Sequence, residues 1–516
     1  MVVKTREIIE FGDFQTPIDL SRTVCGLLAE QGLKPASLFE PTCGRGNLLF
    51  AGLDHLSSVT NALGMDINAR HVAQAAEVLG RRKDHHRVHL VEGDFFQANL
   101  ANIFSALPQP LLVLGNLPWV TNTHLGTFGG KNLPVKSNFQ NRTGCDAITG
   151  KANFDISESM LIRIVENLHH RAGMVAMLCK TAVARKILAH CWSLALGVEH
   201  AAIYNIDADY HFNAAVQACL LVIQFGSQST SPSARVYPDL TVHGASRTIA
   251  YHDGSLIADL DTYRRWRHLR GGEPPSWRSG IKHDCSKVME LRRHGGQYRN
   301  GLDELVSLED IFLFPMLKSS EIAGGIARFS GRWMLVPQRR VGDDTSIIGG
   351  AAPLTWNYLR SHADLFRRRK SSIYRGKPLF SVFGVGDYSF SPWKVAISGF
   401  YKKFTFVSIG PVDGKTCVLD DTCYFLPCPT KYAADYLAAL LNSDIAREFF
   451  SSYVFWDSKR PITADLLGRL NPRLLANELG TQATYDRLFG EPSRHRISTA
   501  RKKRAIIAGK LALWSV

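Results

Sequence analysis

Four residues at the end of an apolar run, in the segment LLVLGNLPWVTN (111–122), are suited to holding an amine. The Asn116 side-chain oxygen and the Leu117 backbone carbonyl can both accept hydrogen bonds from one NH2 group. Pro118 locks its own φ and pushes the residue before it towards an extended conformation. Trp119 offers a flat face for stacking. The segment therefore predicts a site at a strand end that holds a planar, amine-bearing group.

The chemistry of such a site follows from the weakness of the nucleophile. An exocyclic amine on a base is a poor nucleophile, because its lone pair is delocalised into the ring. Two acceptors on its hydrogens favour a more tetrahedral nitrogen and localise the lone pair. Catalysis then depends on positioning and oriented dipoles, with no strong general base needed beforehand.

Three carboxylates, Glu40, Asp66 and Asp94, fall at or beside the ends of predicted strands. Ligands of open parallel sheets bind beyond the carboxyl ends of the strands. An acidic residue at the position of Asp66 typically accepts hydrogen bonds from ribose hydroxyls. Ile67 follows it and is also expected to contact the cofactor. Asp94 can accept a hydrogen bond from an adenine amino group, with Phe95 against the ring. Together these residues predict a site for a nucleoside-bearing cofactor.

The turn EPTCGRG, which begins Glu40-Pro41, distinguishes between cofactors. Gly44 and Gly46 lack a Cβ and let the backbone approach a ligand closely. Leu49 replaces the third glycine of a dinucleotide fingerprint, and the Lys-Ser/Thr pair of a phosphate loop is absent. A carboxylate at the mouth disfavours a pyrophosphate and favours a cation. S-adenosylmethionine carries a sulfonium and an ammonium and no phosphate, so the charge favours it over NAD.

Alternating apolar runs and helical patterns over the first 225 residues predict the element order. They indicate a Rossmann-like α/β fold with a mostly parallel, covered sheet. The predicted strands are 36–40, 61–67, 87–94, 111–116, 174–180, 199–207 and 216–225, with a helix at 158–170. The Ser-, Pro- and Gly-rich segment 226–239 is typical of a linker. We therefore expect one domain at 1–228 and a mixed α+β domain at 229–516.

The segment FGDFQTPIDL (11–20) precedes the predicted sheet. Thr16 is expected to cap a helix with Pro17 at its first position. The functional interpretation places the loop from Phe14 to Pro17 over the methionine end of the cofactor.

The order FQTP, EPTCGRG, MDI, GDFF and NLPW resembles the gamma class of DNA amino-methyltransferases, the Taq-type adenine-N6 enzymes of restriction–modification systems. The resemblance covers about the first 225 residues and implies methyl transfer from S-adenosylmethionine to a flipped adenine. HFNAAVQACLLV resembles the family's hairpin that brings an aromatic to the other face of the base, which points to Phe212. The segment 153–163 takes the place of the helix lining the cofactor pocket. The resemblance implies that the residues contacting the cofactor are Thr16, Glu40, Asp66, Asp94 and Phe95. It also implies that Asn116 to Trp119 hold the target base.

One departure from the family and two alternatives stay open. Leu117 stands where the family usually has its first proline, so the acceptor carbonyl survives but a φ lock is lost. A DNA cytosine-N4 methyltransferase is an alternative, although such enzymes more often carry Ser in place of Asn116. Enzymes that methylate guanine N2 in ribosomal RNA, or glutamine in proteins, share the Asn-x-Pro-aromatic motif but need no large basic half.

The positive charge is confined to the C-terminal half. Residues 1–230 hold 19 Lys/Arg and 19 Asp/Glu, so the net charge of +15 lies entirely beyond them. Basic runs interleaved with aromatics, some resembling gamma-class recognition domains, lead us to expect a domain that reads double-stranded DNA through phosphates and base edges. The polar segment 120–154 is expected to order over the extruded base. The candidate DNA-binding residues are Lys131, Lys136, Arg142, Lys394, Lys402, Lys403, Lys459 and Arg460.

Composition and the remaining patterns complete the expectations. The start shows no apolar core of signal-peptide length, and no apolar run reaches membrane-span length, so a prokaryotic cytoplasmic protein is expected. The 10 scattered cysteines fit no common zinc site, so no metal is expected. A monomer acting on DNA, with a cognate restriction endonuclease or other defence partner, is anticipated. The C-terminal half predicts strands at 377–384, 404–410 and 418–427 and one helix at 431–452.

Overall fold

The computed structural model of the chain divides into two compact units, Met1–Asp261 and Thr262–Val516. It describes residues 15–119, 155–171, 173–226, 232–241, 243–244, 246–272, 275–458 and 460–490. The division lies at Asp261, whereas the sequence placed it at residue 228. One strand inside the presumed linker 226–239, Ser233–Tyr237, and two strands that follow the linker belong to the first sheet and account for this difference. None of the described helices has the length and apolarity needed to cross a bilayer.

The first unit is an α/β fold built on one ten-stranded sheet. Its strands are β1 Ser37–Glu40, β2 Asn61–Asp66, β3 Val88–Glu92, β4 Leu111–Asn116, β5 Met174–Lys180, β6 Val198–Ile206, β7 Ala218–Phe225, β8 Ser233–Tyr237, β9 Arg247–His252 and β10 Ser255–Ile257. Its helices are α1 Ile18–Glu30, α2 Asn47–His55, α3 Ala69–Gly80, α4 Leu100–Ala106, α5 Ile156–Leu168, α6 Thr181–Ser193, α7 Ala208–Phe212 and α8 Leu260–Trp266, the last running across the division. The strand order is β10-β9-β8-β6-β7-β5-β4-β1-β2-β3.

The central strands are parallel and buried, as their continuous apolar sequences require. Strands β3, β2, β1, β4 and β5 run parallel, and β7 runs antiparallel between β5 and β6. In β4 the first five residues are fully covered, and its apolar side chains lie in the core with those of β1 and β5. The predicted α/β fold and all seven predicted strands are confirmed.

The start of α1 differs from the prediction. Pro17 occupies the N-cap position, and no side chain caps the helix. Thr16 is therefore not the cap, and its hydroxyl contacts the end of β4 instead.

The second unit contains two sheets and many short helices. Its strands are β11 Arg278–Ser279, β12 Glu290–His294, β13 Gln297–Arg299, β14 Leu305–Val306, β15 Leu313–Leu317, β16 Arg332–Leu335, β17 Trp393–Ser398, β18 Val407–Ile409, β19 Val418–Leu419 and β20 Cys423–Cys428. Its helices are α9 Ser286–Met289, α10 Ser319–Ile322, α11 Ile348–Ala351, α12 Pro353–Ser361, α13 Ala363–Arg367, α14 Lys431–Leu441, α15 Asp444–Ser451, α16 Ala464–Leu467, α17 Pro472–Glu478 and α18 Gln482–Phe489. One sheet has the order β11-β20-β17-β18 and the other β14-β13-β12-β16-β15-β19.

Three predicted elements of this half are corrected. The strand expected at 418–427 is two strands, β19 and β20, which belong to different sheets. The helix expected at 431–452 is two helices, because Ser443 starts a new one by accepting a hydrogen bond from the Ala446 backbone N–H. Residues 377–384 form no extended strand; only Phe383 makes an isolated bridge.

Candidate active site

Polar side chains line up along the carboxyl edge of four neighbouring strands. Glu40 ends β1, Asp66 ends β2 and Asn116 ends β4, while Asp94 follows β3 by two residues. The strand order β4-β1-β2-β3 sets these ends side by side. The structure thus brings together residues that are 76 positions apart in the sequence, from 40 to 116.

The glycine turn is tied to the end of β2. The Gly44 backbone N–H donates to Asp66 Oδ2 at 2.8 Å, and the Asn68 N–H donates to Asp66 Oδ1 at 2.8 Å. Gly44 and Gly46 adopt φ values of 49° and 81°. A Cβ on Gly44 would lie 2.4 Å from the end of the Gln15 side chain, so a substitution there would displace Gln15 and would also be strained by the positive φ. Each Asp66 oxygen has two lone pairs and keeps the capacity to accept from a ribose hydroxyl.

Glu40 is a buried carboxyl group with one oxygen to which no described residue donates a hydrogen bond. The residue is 3% exposed, and its Oε2 has no hydrogen-bond partner among the described residues. Burial raises the pKa of Glu40 well above its usual range; a backbone hydrogen bond from Leu49 opposes this, and the charge of Asp66 adds to it. Such an atom suits a cationic hydrogen-bond donor, such as an ammonium group, which would favour the ionised form of the carboxyl.

The segment before α1 joins the glycine turn to β4. Gln15 Oε1 accepts from the Arg45 N–H at 3.1 Å, and the Thr16 carbonyl accepts from Asn47 Nδ2 at 2.8 Å. Thr16 Oγ1 accepts from Asn116 Nδ2 at 3.3 Å and so orients the Asn116 amide. Phe14, expected in this loop, lies outside the described residues.

The loop after β3 is held by an arginine that the sequence analysis did not single out. Asp94 accepts from the Phe96 N–H at 2.9 Å and from Gln97 Nε2 at 3.1 Å. Arg163, on α5, donates to the Phe96 carbonyl at 2.8 Å, and its guanidinium lies 5.5 Å from the ring centre of the buried Phe95. In the sequence, Arg163 was marked only by being a charged residue in the helix predicted to line the cofactor pocket.

One residue at this edge of the sheet, Ile67, has an exposed apolar side chain. Ile67, directly after Asp66, is 47% exposed. It therefore offers apolar surface beside the carboxylate.

The Asn-Leu-Pro-Trp segment is covered by neighbouring side chains. Leu117 is 1% exposed, and the Asn116 carbonyl accepts from Thr42 Oγ1 at 3.2 Å. The Trp119 and Phe212 rings lie edge to face, with centres 5.0 Å apart and planes at 68°. The structure therefore places Phe212, at the end of α7, against the aromatic ring of the motif.

An ion pair that the sequence analysis missed lies beside this segment. Lys180 Nζ, at the end of β5, donates to the Trp119 carbonyl at 2.9 Å and to Asp155 Oδ2 at 2.6 Å. The available signal was a lysine that ends an apolar strand at the same edge as Asn116.

The predicted DNA-binding residues separate into three groups. Lys394 is 1% exposed and donates to the carbonyls of Ser391 and Cys417, so the expectation that it contacts DNA is corrected. Burial lowers its pKa to about 8. Lys402 and Lys403 are exposed, and Arg460 is exposed with its guanidinium 4.3 Å from the Phe400 ring centre. The others, Lys131, Lys136, Arg142 and Lys459, lie outside the described residues.

Comparison with known proteins shows which of them the chain resembles. No family model matches the chain. A solved structure, the type IIL restriction–modification enzyme MmeI in complex with DNA, is 14% identical with a TM-score of 0.54, covering 92% of this chain and 68% of that one. This likeness shows that the two proteins share a fold.

A curated relative shows to which family the chain belongs. The type II methyltransferase M.NspV of Nostoc sp. (strain ATCC 29411 / PCC 7524) is 44% identical over 476 residues, which are 92% of this chain and 98% of the relative. The chain belongs to the type II methyltransferases of restriction–modification systems.

Proposed function

We propose that this protein transfers a methyl group from S-adenosylmethionine to the N6 amine of an adenine flipped out of double-stranded DNA. The observation that carries the proposal is the position of Asn116. Its amide, oriented by Thr16, ends the strand beside the one that ends in the buried Glu40 carboxylate. Amine-holding and cation-holding groups are thus neighbours at one sheet edge, as a methyl transfer from a sulfonium to an amine requires.

The residues at this edge fit S-adenosylmethionine. Bound there, the cofactor would supply a methyl group activated by its positive sulfur. Glu40 Oε2 would accept from the ammonium of its methionine part, and Asp66 from the ribose hydroxyls. Asp94 and Phe95 would meet the adenine, with Ile67 supplying apolar contact. Glu40 supports this donor over a phosphate-bearing one, because an ammonium group would favour the ionised form of its buried carboxyl and a pyrophosphate would not.

The Asn116 side chain and the Leu117 carbonyl would hold the target amine. Both oxygens accept hydrogen bonds, which favours a tetrahedral nitrogen with a localised lone pair. Trp119 and Phe212 would flank the base, replacing the contact that their rings make with each other. The base has to leave the duplex stack, because an amine paired inside a helix is out of reach.

Adenine is favoured over cytosine by the residue at position 116. Cytosine-N4 enzymes more often carry Ser in place of Asn116, whereas the gamma class that this chain resembles carries Asn. The relative M.NspV is a type II methyltransferase, and MmeI is a restriction–modification enzyme in complex with DNA. These likenesses support DNA over RNA or protein as the acceptor.

We propose that the second unit, with its excess of basic residues, reads the duplex. Lys402, Lys403 and Arg460 are exposed there and suited to phosphate contacts. A cognate restriction endonuclease is the proposed partner system, and the enzyme acts as a monomer on its site in the prokaryotic cytoplasm.

Label transfer tests the proposal. The protein is incubated with S-adenosylmethionine carrying a tritiated methyl group and with duplex DNA, ribosomal RNA or a protein extract in separate reactions. Label in duplex DNA is expected. Label confined to RNA or protein would overturn the proposal.

A further inference from the structure

We infer that Lys180 and Asp155 form a positioning pair that holds the Asn116–Trp119 segment, in place of the proline that Leu117 replaces. This inference rests on the proposed function. It assigns no chemical step to the pair; the pair acts through the backbone of the segment that would hold the target amine.

The segment is anchored by hydrogen bonds at both ends. The Asn116 carbonyl accepts from Thr42 Oγ1 at 3.2 Å, and the Trp119 carbonyl accepts from Lys180 Nζ at 2.9 Å. The Leu117 carbonyl, one of the two proposed acceptors, lies between these anchors in the chain. Two fixed peptide groups limit rotation of the residues between them, which is the restriction that a proline at position 117 would supply through φ.

The anchor is itself held rigidly. Lys180 Nζ lies 2.6 Å from Asp155 Oδ2, and the side chains are 20% and 8% exposed. Asp155 Oδ1 accepts from the Ser157 N–H at 3.2 Å and from its hydroxyl at 2.6 Å, which caps α5. Both oxygens of the carboxylate are therefore occupied, and a partly buried pair of this kind is screened less by salt than an exposed one.

The sheet fixes where the lysine stands. In the parallel register of β4 and β5, Asn116 lies opposite Leu178. Lys180 is two residues further along β5, so its side chain reaches the backbone just beyond Asn116. Strand pairing thus sets the distance between the anchor and the segment.

A second ion pair provides a matched control. Glu158 lies on α5 and Lys186 on α6, and Lys186 Nζ is 2.6 Å from Glu158 Oε2. Glu158 is 1% exposed, so this pair is at least as buried on the carboxylate side. The Lys186–Glu158 hydrogen bond joins α6 to α5, and neither residue belongs to the Asn116–Trp119 segment.

The test compares Lys180→Met, Lys180→Arg, Asp155→Asn and Lys186→Met with the unaltered protein on the same duplex DNA. Single-turnover methyl transfer and the Kd for S-adenosylmethionine are measured. Because a misplacement of about 1 Å can lower a rate roughly 100-fold, Lys180→Met and Asp155→Asn are expected to transfer about 10- to 100-fold more slowly. Their Kd for the cofactor stays within about threefold, Lys180→Arg recovers most of the rate, and Lys186→Met keeps it.

Two results would overturn the inference. One is an unaltered rate in both Lys180→Met and Asp155→Asn, and the other is an equal loss of rate in Lys186→Met. Asp155→Asn keeps the test valid if Lys180→Met fails to fold. Failure of the unaltered protein to methylate duplex DNA would instead refute the proposed function, so the two failures are distinguishable.

Discussion

Replacing Glu40 by Gln is expected to weaken cofactor binding and to stabilise the cofactor-free protein. The side chain is buried, and its Oε2 has no partner among the described residues. A charge-assisted hydrogen bond contributes about 1.5–3 kcal/mol, so its loss should raise the Kd for S-adenosylmethionine roughly 10- to 150-fold. Calorimetric titration at pH 8 measures this change.

The stability effect has the opposite sign. Because burial raises the pKa of Glu40, the folded state holds a proton that the unfolded chain releases above about pH 4.5. Stability of the cofactor-free protein therefore falls as pH rises through that value. Glu40→Gln removes this dependence, so its free energy of unfolding should exceed that of the unaltered protein at pH 8, and the excess should shrink towards pH 4.5.

Two controls separate a binding role from a general effect of burial. Glu290→Gln alters a largely buried carboxylate of the second unit that is paired with Lys318, so it should lower stability at pH 8 and leave the cofactor Kd within about threefold. Methylthioadenosine, which lacks the ammonium group, should bind the unaltered protein and Glu40→Gln equally. An unchanged Kd for S-adenosylmethionine in Glu40→Gln, or a loss of stability at pH 8, would refute this reasoning.

Three further predictions follow from the described contacts. Asn116→Ala should slow methyl transfer at least about 100-fold while cofactor titration shows a nearly unaltered Kd, because an acceptor for the target amine is lost and the carboxylates proposed to hold the cofactor remain; full turnover would contradict this. Lys402→Ala combined with Lys403→Ala should weaken DNA binding for all sequences alike and reduce the salt slope of the binding constant by about 2, as measured by fluorescence anisotropy. Burial raises the pKa of Glu290, but hydrogen bonds from His283 and Lys318 outweigh it and bring the pKa to about 2. This carboxylate therefore contributes stability, roughly 3 kcal/mol, that is present above pH 4.5 and lost as pH falls towards 2, and Glu290→Gln should flatten that part of the urea-derived stability profile.

Most strands of the central sheet could be predicted from the sequence because they are covered on both faces. Runs such as LLVLGN (111–116) are continuous and apolar, and such runs have few other places in a fold. The last three strands of this sheet, β8, β9 and β10, could not be found in this way. They are short and partly exposed, and β8 belongs to the sheet only through its pairing with β6, which local patterning does not encode.

The residues of the candidate site that lie at strand ends could be predicted from the sequence. Glu40, Asp66 and Asn116 could be brought together because parallel strands present their carboxyl ends at one edge. The Lys180–Asp155 pair could not, because a contact between residues 25 apart depends on how α5 packs. Lys394 was misassigned for a related reason. A lysine among aromatics is typical of a binding surface, but here backbone carbonyls satisfy its ammonium inside the protein.

Nucleoside analysis of the treated DNA shows which base amine receives the methyl group. Duplex DNA is incubated with the protein and S-adenosylmethionine, digested to nucleosides and separated by mass spectrometry, with Asn116→Ala as the control. N6-methyladenine is expected in the reaction with the unaltered protein, and none is expected with the variant. N4-methylcytosine, or no methylated nucleoside, would contradict it.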